Sequence, residues 1–394
     1  MPKKTKQSLI IFFILGSLTA GLIYHNSKEN IQRSSASYSA SDKGQKKSDP
    51  VIVESQEVSS PDRSAGPKNI SEKDYQVYFS QVYGGNHRSV KSNPLSMDHQ
   101  LARVLARAKK HIYCAVQELD SDVFANALLS AHRRGVLVKI VTEDRYREEA
   151  PLIRLVREGI PVVDDSDGSK RTTRLMHNKF IVVDKEWVWT GSANTTYNGF
   201  YKNNNNAVLI RSRELAANFL DEFNEMFDRK SFGLSSPDRI PHKVVRLNDG
   251  TIVQTLFAPE NNVAMRIIQE LKKARRSIHF MAFSFTHKDI GEVMLKKHLA
   301  GVKVMGIFEK RMAGKYSRFK HLRENGIETV KTDRNKYNMH HKVIIIDEKT
   351  VITGSYNFSE NADKRNDENI LIIHSPQIAK SYLEEFYRLY PSEQ

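Results

Sequence analysis

Two segments of this 394-residue chain repeat one another, and this repeat limits the possible folds more than any other feature of the sequence. Residues 176–210 align with residues 339–373 at a constant offset of 163 without a gap, and 14 of the 35 positions are identical. A repeat kept only for folding would preserve its apolar pattern and let its polar residues vary. Here the polar residues and glycines keep their spacing, which indicates one chemical task carried out by two copies. The shared pairs are His177/His340, Lys179/Lys342, Asp184/Asp347, Gly191/Gly354, Ser192/Ser355, Asn194/Asn357, Asn203/Asn366 and Asn206/Asn369.

The segments that flank the repeat indicate the fold of each copy. Upstream, each copy begins with an amphipathic helix, continues with a short apolar strand and a second helix that ends near a glycine, and then enters another strand. Downstream, Ser212 and Ser375 occupy the N-cap position of a further helix with an apolar stripe. Strands that alternate with helices at these spacings predict α/β units with a largely buried sheet. The upstream elements are predicted at 98–109, 112–116 and 136–141 in the first copy and at 262–273, 278–283 and 302–308 in the second.

We therefore predict an α/β protein with two pseudo-symmetric halves in one chain, packed so that the active site lies between them. The first half covers residues 70–230, a connecting segment covers residues 231–250, and the second half covers residues 251–394. Residues 1–25 are predicted to be an N-terminal membrane segment. Residues 26–69 are predicted to be a flexible polar tether because they contain too few large apolar residues to form a core.

The N-terminal segment has the pattern of a signal-anchor. Lys3, Lys4 and Lys6 precede 17 uncharged, mostly apolar residues, Ser8–Tyr24, a length at the lower limit for a helix that crosses a bilayer. Basic residues on that side would keep the N-terminus in the cytosol and send the rest of the chain across. An anchor is favoured over a cleaved signal peptide because small residues are poorly placed for cleavage. We expect the catalytic part outside the cytosol, in the periplasm or at the cell exterior of a bacterium, or secreted if the segment is cleaved.

Charge and cysteine content restrict the partners and cofactors. The net charge of +15 at pH 7 favours anionic partners such as nucleic acid, anionic lipid or phosphorylated substrates. A single cysteine, Cys114, excludes an internal disulfide and a cysteine-based zinc site. No cluster of carboxylates, or of histidines with cysteines, has the spacing of a catalytic metal site, so we expect chemistry without a metal or another cofactor.

Both copies fit the pattern H-x-K-x4-D-x6-G-S. The apolar residues after each lysine predict a strand, and residues two apart in a strand point to the same side, so each histidine should project beside its lysine. His341, between His340 and Lys342, is expected to face the other side. A tight turn at the Gly-Ser pair would bring Asn194 or Asn357 to the same pocket as an amide donor. Two such half-sites across a pseudo-twofold axis would surround one point with donors, which suits a phosphoryl transition state.

This pair of motifs resembles the signature of the phospholipase D superfamily over about residues 70–391. The second copy, with 354–359 and 366–369, is most similar to the bacterial nuclease and mitochondrial-type branch. The resemblance implies that one histidine attacks phosphorus to form a phosphohistidine and the other protonates the leaving oxygen and then activates water. It also implies that lysines and asparagines hold phosphate oxygens, while the motif aspartates are often structural. The catalytic set is then His177, Lys179, Asp184, His340, Lys342, Asp347 and Glu368, and the phosphate-binding set is Ser192, Asn194, Ser355 and Asn357.

One difference between the copies suggests a role for each histidine. In the family that the motifs resemble, a carboxylate after the motif often orients a catalytic histidine, and Glu368 stands at that place, 28 residues after His340. The equivalent position after His177 is Asn205, which is neutral. A neighbouring carboxylate favours the protonated imidazole. We therefore expect His340 to be the general acid and base, and His177 to be the nucleophile.

The motifs predict which bond is cut and leave the substrate open. The preferred interpretation is a metal-independent phosphodiesterase that hydrolyses phospholipid headgroups, because the anchor and tether would place it beside a membrane. The alternatives are a tethered or secreted endonuclease, which the positive charge supports, and a headgroup-transferring synthase of the cardiolipin synthase kind. A non-catalytic binding protein is disfavoured because both motifs are complete. The partner is then the substrate, a phospholipid membrane or a nucleic acid. Because both motifs lie in one chain, no protein partner is required for the active site.

Overall fold

The structure, a computed structural model, describes residues 74–80, 87–166 and 174–392. These residues belong to one unit that extends from Asn69 to Gln394. The predicted membrane segment and tether lie outside the described residues. Within the described part of the chain, no helix is both long and apolar enough to cross a bilayer.

Seven described strands form the sheet of the first half. They are β1 (Tyr75–Phe79), β2 (His111–Val116), β3 (Leu137–Thr142), β4 (Val162–Asp164), β5 (Lys179–Val183), β6 (Trp187–Gly191) and β7 (Asn206–Arg211). From edge to edge the order is β1-β7-β6-β5-β2-β3-β4, and only β2, β3 and β4 run parallel to one another. The helices of this half are α1 (His87–Ser92), α2 (Met97–Ala106), α3 (Asp122–Arg133), α4 (Ala150–Arg157), α5 (Tyr197–Tyr201) and α6 (Arg213–Phe227).

The second half repeats this arrangement with eight described strands. They are β8 (Val245–Arg246), β9 (Ile252–Ala258), β10 (Ser277–Ala282), β11 (Lys303–Phe308), β12 (Val330–Thr332), β13 (Lys342–Ile346), β14 (Thr350–Gly354) and β15 (Glu368–His374), in the order β12-β11-β10-β13-β14-β15-β9-β8. The helices are α7 (Val263–Lys272), α8 (Lys288–Leu299), α9 (Arg318–Glu324), α10 (Glu360–Lys364) and α11 (Pro376–Leu389). Strands β10 to β15 match β2 to β7 in order, which confirms the predicted pair of α/β halves. Strand β8 comes from the predicted connecting segment.

The two halves share one apolar core. Helices α6 and α11 contribute to it together with the inner faces of both sheets. The ring of Phe219 in α6 lies 4.9 Å from that of Phe180 in β5 and 5.3 Å from that of Phe257 in β9, so this helix contacts both sheets. Tyr382 in α11 contacts Phe79 of β1 at 5.2 Å. Separate cores lie on the outer face of each sheet. Because large aromatic side chains are buried between the sheets, separating the halves would expose apolar surface to water.

The helices that enter this shared core begin at the predicted caps. The side chain of Ser212 accepts a hydrogen bond from the N–H of Leu215 at 3.2 Å, and that of Ser375 accepts one from Ile378 at 3.4 Å. Each bond satisfies an N–H group that has no partner within the helix.

A tight turn follows the first motif strand in each half and explains the position of the motif aspartate. Asp184 and Lys185 have φ angles of 52° and 56°, and Asp347 and Glu348 have φ angles of 51° and 60°. Two successive residues with positive φ are the pattern of a type I′ turn, whose twist suits a β-hairpin. Aspartate adopts this conformation more readily than most residues. The turn therefore connects β5 to β6 and β13 to β14 in the same way.

The aspartate carboxylates also fix the loops that precede β2 and β10. That of Asp347 accepts hydrogen bonds from the backbone N–H groups of Arg275, Arg276 and Ser277, at 2.7 to 3.1 Å. That of Asp184 accepts them from Lys109, Lys110 and His111, at 2.7 to 2.9 Å. Burial opposes ionisation of Asp347, but its three N–H partners outweigh burial and lower its pKa below the ordinary value. The motif aspartates are therefore parts of the scaffold.

The motif glycines are required by close contact between strands rather than by the predicted tight turn. A Cβ atom at Gly191 would lie 2.3 Å from the carbonyl oxygen of Asn206, and one at Gly354 would lie 2.2 Å from that of Asn369. The N–H of the serine that follows each glycine donates to the same carbonyl oxygen at 3.0 Å. A side chain at either glycine would push β7 or β15 away from its neighbour.

We expect Asp347→Ala to lower stability while leaving the chemistry intact in the folded protein. Losing three hydrogen bonds to a buried carboxylate should cost about 2 to 4 kcal/mol in the free energy of unfolding at pH 7. Because the folded-state pKa is depressed, the contribution of Asp347 is present above the unfolded pKa of about 3.9 and is lost as pH falls through the folded value. The stability difference between wild type and variant should therefore shrink in acid.

Urea unfolding from pH 7 to pH 3 measures this difference. Asp347→Asn is the matched control because asparagine also tolerates positive φ and lacks only the charge. An Asp347→Ala protein with wild-type stability and no turnover would contradict a scaffold role.

Candidate active site

The two motif histidines are held at the boundary between the halves by backbone from the opposite half. The N–H of His177 donates to the carbonyl oxygen of Asp367 at 3.0 Å, and the N–H of His340 donates to that of Asn204 at 2.8 Å. Each histidine thus begins its motif by pairing with the segment that leads into β15 or β7 of the other half. Both side chains are buried, with 7% and 8% of the residue exposed. The structure places the two histidines close enough together that both motif lysines act on the pKa of each.

The motif lysines lie beside the histidines. Nζ of Lys179 donates to the carbonyl oxygen of His177 at 2.8 Å and to Oε1 of Gln117 at 3.1 Å, and Nζ of Lys342 donates to the carbonyl oxygen of His340 at 2.9 Å. Burial lowers the pKa of Lys179 to about 8. Burial, followed by the charge of Lys179, lowers the pKa of Lys342 well below its ordinary value. The two buried ammonium groups repel one another, and an anion bound between them would offset this repulsion.

Glu368 contacts the histidine of the other half. Its Oε2 lies 2.7 Å from Nδ1 of His177 and also accepts a hydrogen bond from Oγ of Ser355 at 2.7 Å. The prediction that Glu368 orients His340 is therefore wrong. The physical reason is that Glu368 begins β15, and the preceding residue, Asp367, pairs through its backbone with His177. Counting residues along one copy of the repeat cannot reveal this exchange.

His340 has neutral partners, which come from the first half. Its Nδ1 lies 2.9 Å from Oδ1 of Asn205 and 3.1 Å from the carbonyl oxygen of Ser192. The expected pairing of Asn205 with His177 is thus wrong as well. A carbonyl oxygen can only accept, so Nδ1 of His340 carries hydrogen and Nε2 remains for chemistry.

Burial and the charge of the lysines both disfavour protonation of His340. Burial first, and then the charges of Lys342 and Lys179, lower the pKa of His340 well below its ordinary value, while the carbonyl of Ser192 raises it. A phosphodiester bound between the lysines would offset their positive charge. His340 could then take up the proton that a general acid must hold.

Burial opposes full ionisation of the pair formed by Glu368 and His177. It raises the pKa of Glu368 to about 8, although Lys179 and the hydrogen bond from Ser355 act in the other direction. It also lowers the pKa of His177 well below its ordinary value, with further contributions from Lys179 and Lys342. When the pair has lost its extra proton, the carboxylate accepts from Nδ1–H and Nε2 of His177 carries a lone pair.

The two motif serines were predicted to bind phosphate, but in the structure they donate hydrogen bonds to protein side chains. Oγ of Ser192 donates to Oδ1 of Asn205 at 2.8 Å, and Oγ of Ser355 donates to Oε2 of Glu368. Both serines are fully buried. In this structure they orient the side chains that face Nδ1 of the two histidines.

The motif asparagines remain suitable for phosphate binding. Asn194 and Asn357 are partly exposed, unlike the serine two residues before each of them. Nδ2 of Asn194 donates to Oε2 of Glu118 at 3.2 Å. Among the described residues, Oδ1 of either asparagine has no hydrogen-bond partner. An amide group has two N–H donors, so Asn194 can bind Glu118 and a phosphate oxygen together.

Asp184 and Asp347 do not lie with these groups. Each stands at the far end of its strand from the motif lysine, and its carboxylate is occupied by backbone N–H groups. The prediction that Asp184 and Asp347 are catalytic residues is therefore corrected. These aspartates position the strands that carry Lys179 and Lys342.

Sequence reasoning missed the network that joins the halves behind the site. His341 faces away from the lysines, as predicted, and its Nδ1 accepts from Nδ2 of Asn206 at 2.9 Å while its Nε2 lies 3.1 Å from Oε1 of Glu385. In the equivalent contact, Nδ2 of Asn369 donates to Oδ1 of Asn178 at 2.8 Å.

Two further pairs complete this network. Thr190 donates to Oδ1 of Asn369 at 2.6 Å, and Thr353 donates to Oδ1 of Asn206 at 2.8 Å. Asn178 also donates to Glu222 at 3.3 Å, in the position that Glu385 has in the other half. All of these pairs keep the offset of 163, so the repeat contained the signal.

One group of carboxylates in the described part of the chain has a spacing that could hold a metal ion. The oxygens of Glu143, Asp144 and Asp165 lie within 4.8 Å of one another. Asp165 already accepts hydrogen bonds from the N–H groups of Asp144 and Met176, each at 2.9 Å, and Glu143 pairs with Arg145 at 3.2 Å. Because protein groups already bind these carboxylates, we assign no metal ion to them.

Comparison with known proteins identifies relatives of both halves. A family described as "Cardiolipin synthase, PLD-like domain" matches the chain twice, at residues 101–227 and 267–390. A protein named phospholipase D from Rickettsia typhi is 36% identical over 167 residues, which cover 42% of this chain and 80% of that protein. Mitochondrial cardiolipin hydrolase from Mus musculus is 36% identical over 126 residues, which cover 32% of this chain and 57% of that protein.

A solved structure has the same fold over most of the chain. The crystal structure of phosphatidylserine synthase from Haemophilus influenzae matches with a TM-score of 0.56 and 16% identity, covering 74% of this chain and 83% of that one.

We expect Glu368 and Lys179 to contribute opposing limbs, both near pH 8, to the pH dependence of kcat/KM. For His177 to act as the predicted nucleophile, its pair with Glu368 must first lose a proton; because the pKa of Glu368 is about 8, kcat/KM should rise towards that pH. For Lys179 to hold a phosphate oxygen, as predicted, it must keep its proton; because its pKa is also about 8, this limb should fall at higher pH.

Steady-state rates from pH 5 to pH 10 measure both limbs. Glu368→Gln should remove the rising limb, and Lys179→Arg should move the falling limb to higher pH because arginine stays protonated. Rising and falling limbs that both remain unchanged in these variants would show that other groups titrate.

Proposed function

The chain belongs to the phospholipase D superfamily, and from this we propose that it is a phosphodiesterase that removes headgroups from phospholipids through a phosphohistidine, without a metal ion. The observation that carries the mechanism is the exchanged pairing of the histidines. Each histidine has its Nδ1 fixed by an acceptor from the opposite half. This leaves Nε2 of both histidines for one phosphate. The two buried lysines supply the positive charge that a metal ion supplies in other phosphodiesterases.

His177 is the nucleophile in this proposal, for a different reason from the one expected. A phosphohistidine that is bonded through Nε2 and still carries hydrogen on Nδ1 is a cation for the whole lifetime of the intermediate. Glu368 lies beside Nδ1 of His177 and would stabilise this cation, whereas Asn205 and Ser192 offer His340 only neutral oxygens. Neutral partners suit a group that takes and gives a proton within one turnover.

The first step transfers the phosphatidyl group to the enzyme. The lone pair on Nε2 of His177 attacks phosphorus, and the bond from phosphorus to the headgroup oxygen breaks. That oxygen takes the proton from Nε2 of His340 and leaves as the headgroup alcohol. Lys179, Lys342, Asn194 and Asn357 hold the other phosphate oxygens as charge develops on them.

The second step returns the enzyme to its first state. His340, now neutral, accepts a proton from a water molecule whose oxygen attacks phosphorus. The P–N bond to His177 breaks, and phosphatidate leaves with the oxygen from water. His340 is again protonated for the next cycle.

The choice of phospholipid as substrate has two supports. Relatives of both kinds named above, a phospholipase D and a cardiolipin hydrolase, bear the names of lipid-cleaving enzymes. The apolar run at 8–24 and the polar tether after it would hold the catalytic part close to a bilayer. We also propose that this run anchors the chain with its catalytic part outside the cytosol. Both motifs lie in one chain, so the proposed site needs no partner protein.

Headgroup release by the purified full-length protein in detergent or vesicles tests the substrate. We expect release from phospholipid vesicles in the presence of EDTA, and a loss of at least about 1,000-fold in His177→Ala, which removes the attacking group. Single- and double-stranded DNA serve as the competing substrates. Cleavage of DNA alone, lost in the same variant, would replace the lipid with nucleic acid, and inhibition by EDTA would contradict the metal-free mechanism.

The roles of the histidines can be separated with an activated substrate. A phosphatidyl ester of p-nitrophenol has a leaving group that needs no acid, so His340→Ala should release about one nitrophenolate per enzyme and then stop. Mass spectrometry should find the phosphatidyl group on His177. We expect no burst from His177→Ala. A burst from His177→Ala, with the adduct on His340, would exchange the two roles.

A further inference from the structure

The pocket is not symmetric where the strands β2 and β10 end. Gln117 and Glu118 follow β2, and the equivalent residues after β10 are Phe283 and Ser284. Glu118 accepts the hydrogen bond from Nδ2 of Asn194, described above. In the part of the chain that the structure describes, no carboxylate is hydrogen-bonded to Asn357. Only the first half therefore places a carboxylate directly beside a phosphate-binding amide.

Glu118, Asp120 and Glu149 form an acidic wall in a protein whose net charge is +15. Burial first, and then the charges of Asp120 and Glu149, raise the pKa of Glu118 to about 7, although Lys179 and the hydrogen bond from Asn194 act in the other direction. Asp120 itself accepts a hydrogen bond from the N–H of Tyr197 at 2.5 Å. Such a wall attracts a cation and repels a second phosphate.

Glu118 lies beside two of the groups that hold phosphate in the proposed reaction. It accepts from the amide of Asn194, and the residue before it, Gln117, accepts from Nζ of Lys179. The charge of Lys179 also acts on the pKa of Glu118. A headgroup whose phosphate is held by Asn194 and Lys179 therefore lies close to the carboxylate of Glu118.

We propose that Glu118, positioned by Asn194, binds the positively charged amine of the phospholipid headgroup and makes the enzyme selective for a primary-amine headgroup such as ethanolamine. This inference rests on the proposed function and adds a substrate class to it. A primary ammonium group donates up to three hydrogen bonds, and a carboxylate in a partly buried site is its strongest acceptor. A neutral glycerol headgroup gains less from a charged partner, and a polynucleotide brings a further negative charge to the same place.

The test compares two headgroups in wild type and in Glu118→Gln. Glutamine keeps the size of the side chain and an oxygen for Asn194 and removes only the charge. On phosphatidylethanolamine vesicles we expect kcat/KM of the variant to fall about tenfold or more, the equivalent of about 1.4 kcal/mol. On phosphatidylglycerol vesicles we expect kcat/KM to stay within about twofold. Glu118→Asp, which restores the charge, should recover part of the preference.

The control is Glu148→Gln, which removes one charge from an exposed residue on the neighbouring loop. It should leave the ratio of kcat/KM for the two headgroups as it is in wild type. Equal losses on both headgroups in Glu118→Gln would overturn the proposal, because Glu118 would then only position Asn194. The absence of any loss in Glu118→Gln would overturn it too.

Binding without turnover separates this inference from the proposed function. Calorimetric titration with the soluble glycerophosphoethanolamine and glycerophosphoglycerol needs neither a bilayer nor cleavage. A Kd that is about tenfold weaker in Glu118→Gln for the ethanolamine compound alone supports the amine site, even if no vesicle is hydrolysed. Equal affinities of wild type for the two compounds overturn the amine site, even if both vesicles are hydrolysed.

Discussion

The exchange of side chains across the boundary between the halves is the constraint on which the rest of the site depends. Glu368 reaches His177, and Asn205 reaches His340, so neither half contains a complete histidine site. The asparagines that follow them, Asn206 and Asn369, bind the opposite half in the same way. These contacts require the ends of β7 and β15 to be positioned to within a fraction of an ångström, because a hydrogen bond weakens steeply with distance and angle. The shared apolar core and the glycines that allow close strand contact both serve this precision.

Much of the fold and the identity of the main site residues could be predicted from the sequence. The repeat gave the strands, the capping serines and the pairing of each histidine with a lysine, because strand periodicity and capping are local properties. The partners of the histidines could not be predicted, since the distance along one copy says nothing about which half a side chain enters. The interpretation of Glu368 was wrong for this reason alone. The structural place of Asp184 and Asp347 depends on loops about 70 residues away, which no local pattern reveals.

The differences between the copies carry as much information as the identities. The positions after β2 and β10 hold Gln117 and Glu118 in one half and Phe283 and Ser284 in the other, so Lys179 has an amide beside it, whereas Nζ of Lys342 lies 4.8 Å from the ring of Phe283. A repeat search discards such positions as mismatches. They acquire meaning only in the structure, where Gln117 contacts Lys179, Glu118 contacts Asn194 and Phe283 contacts Lys342, three residues proposed to bind phosphate.

Joining the halves in one polypeptide has a consequence for evolution. Two identical subunits around a true dyad would have to give both histidines the same partner, and any substitution that improved one for attack would change the other equally. After duplication and fusion, each copy accumulates mutations separately. One chain can therefore place a carboxylate beside His177 and an amide beside His340, an asymmetry that a true dyad would forbid.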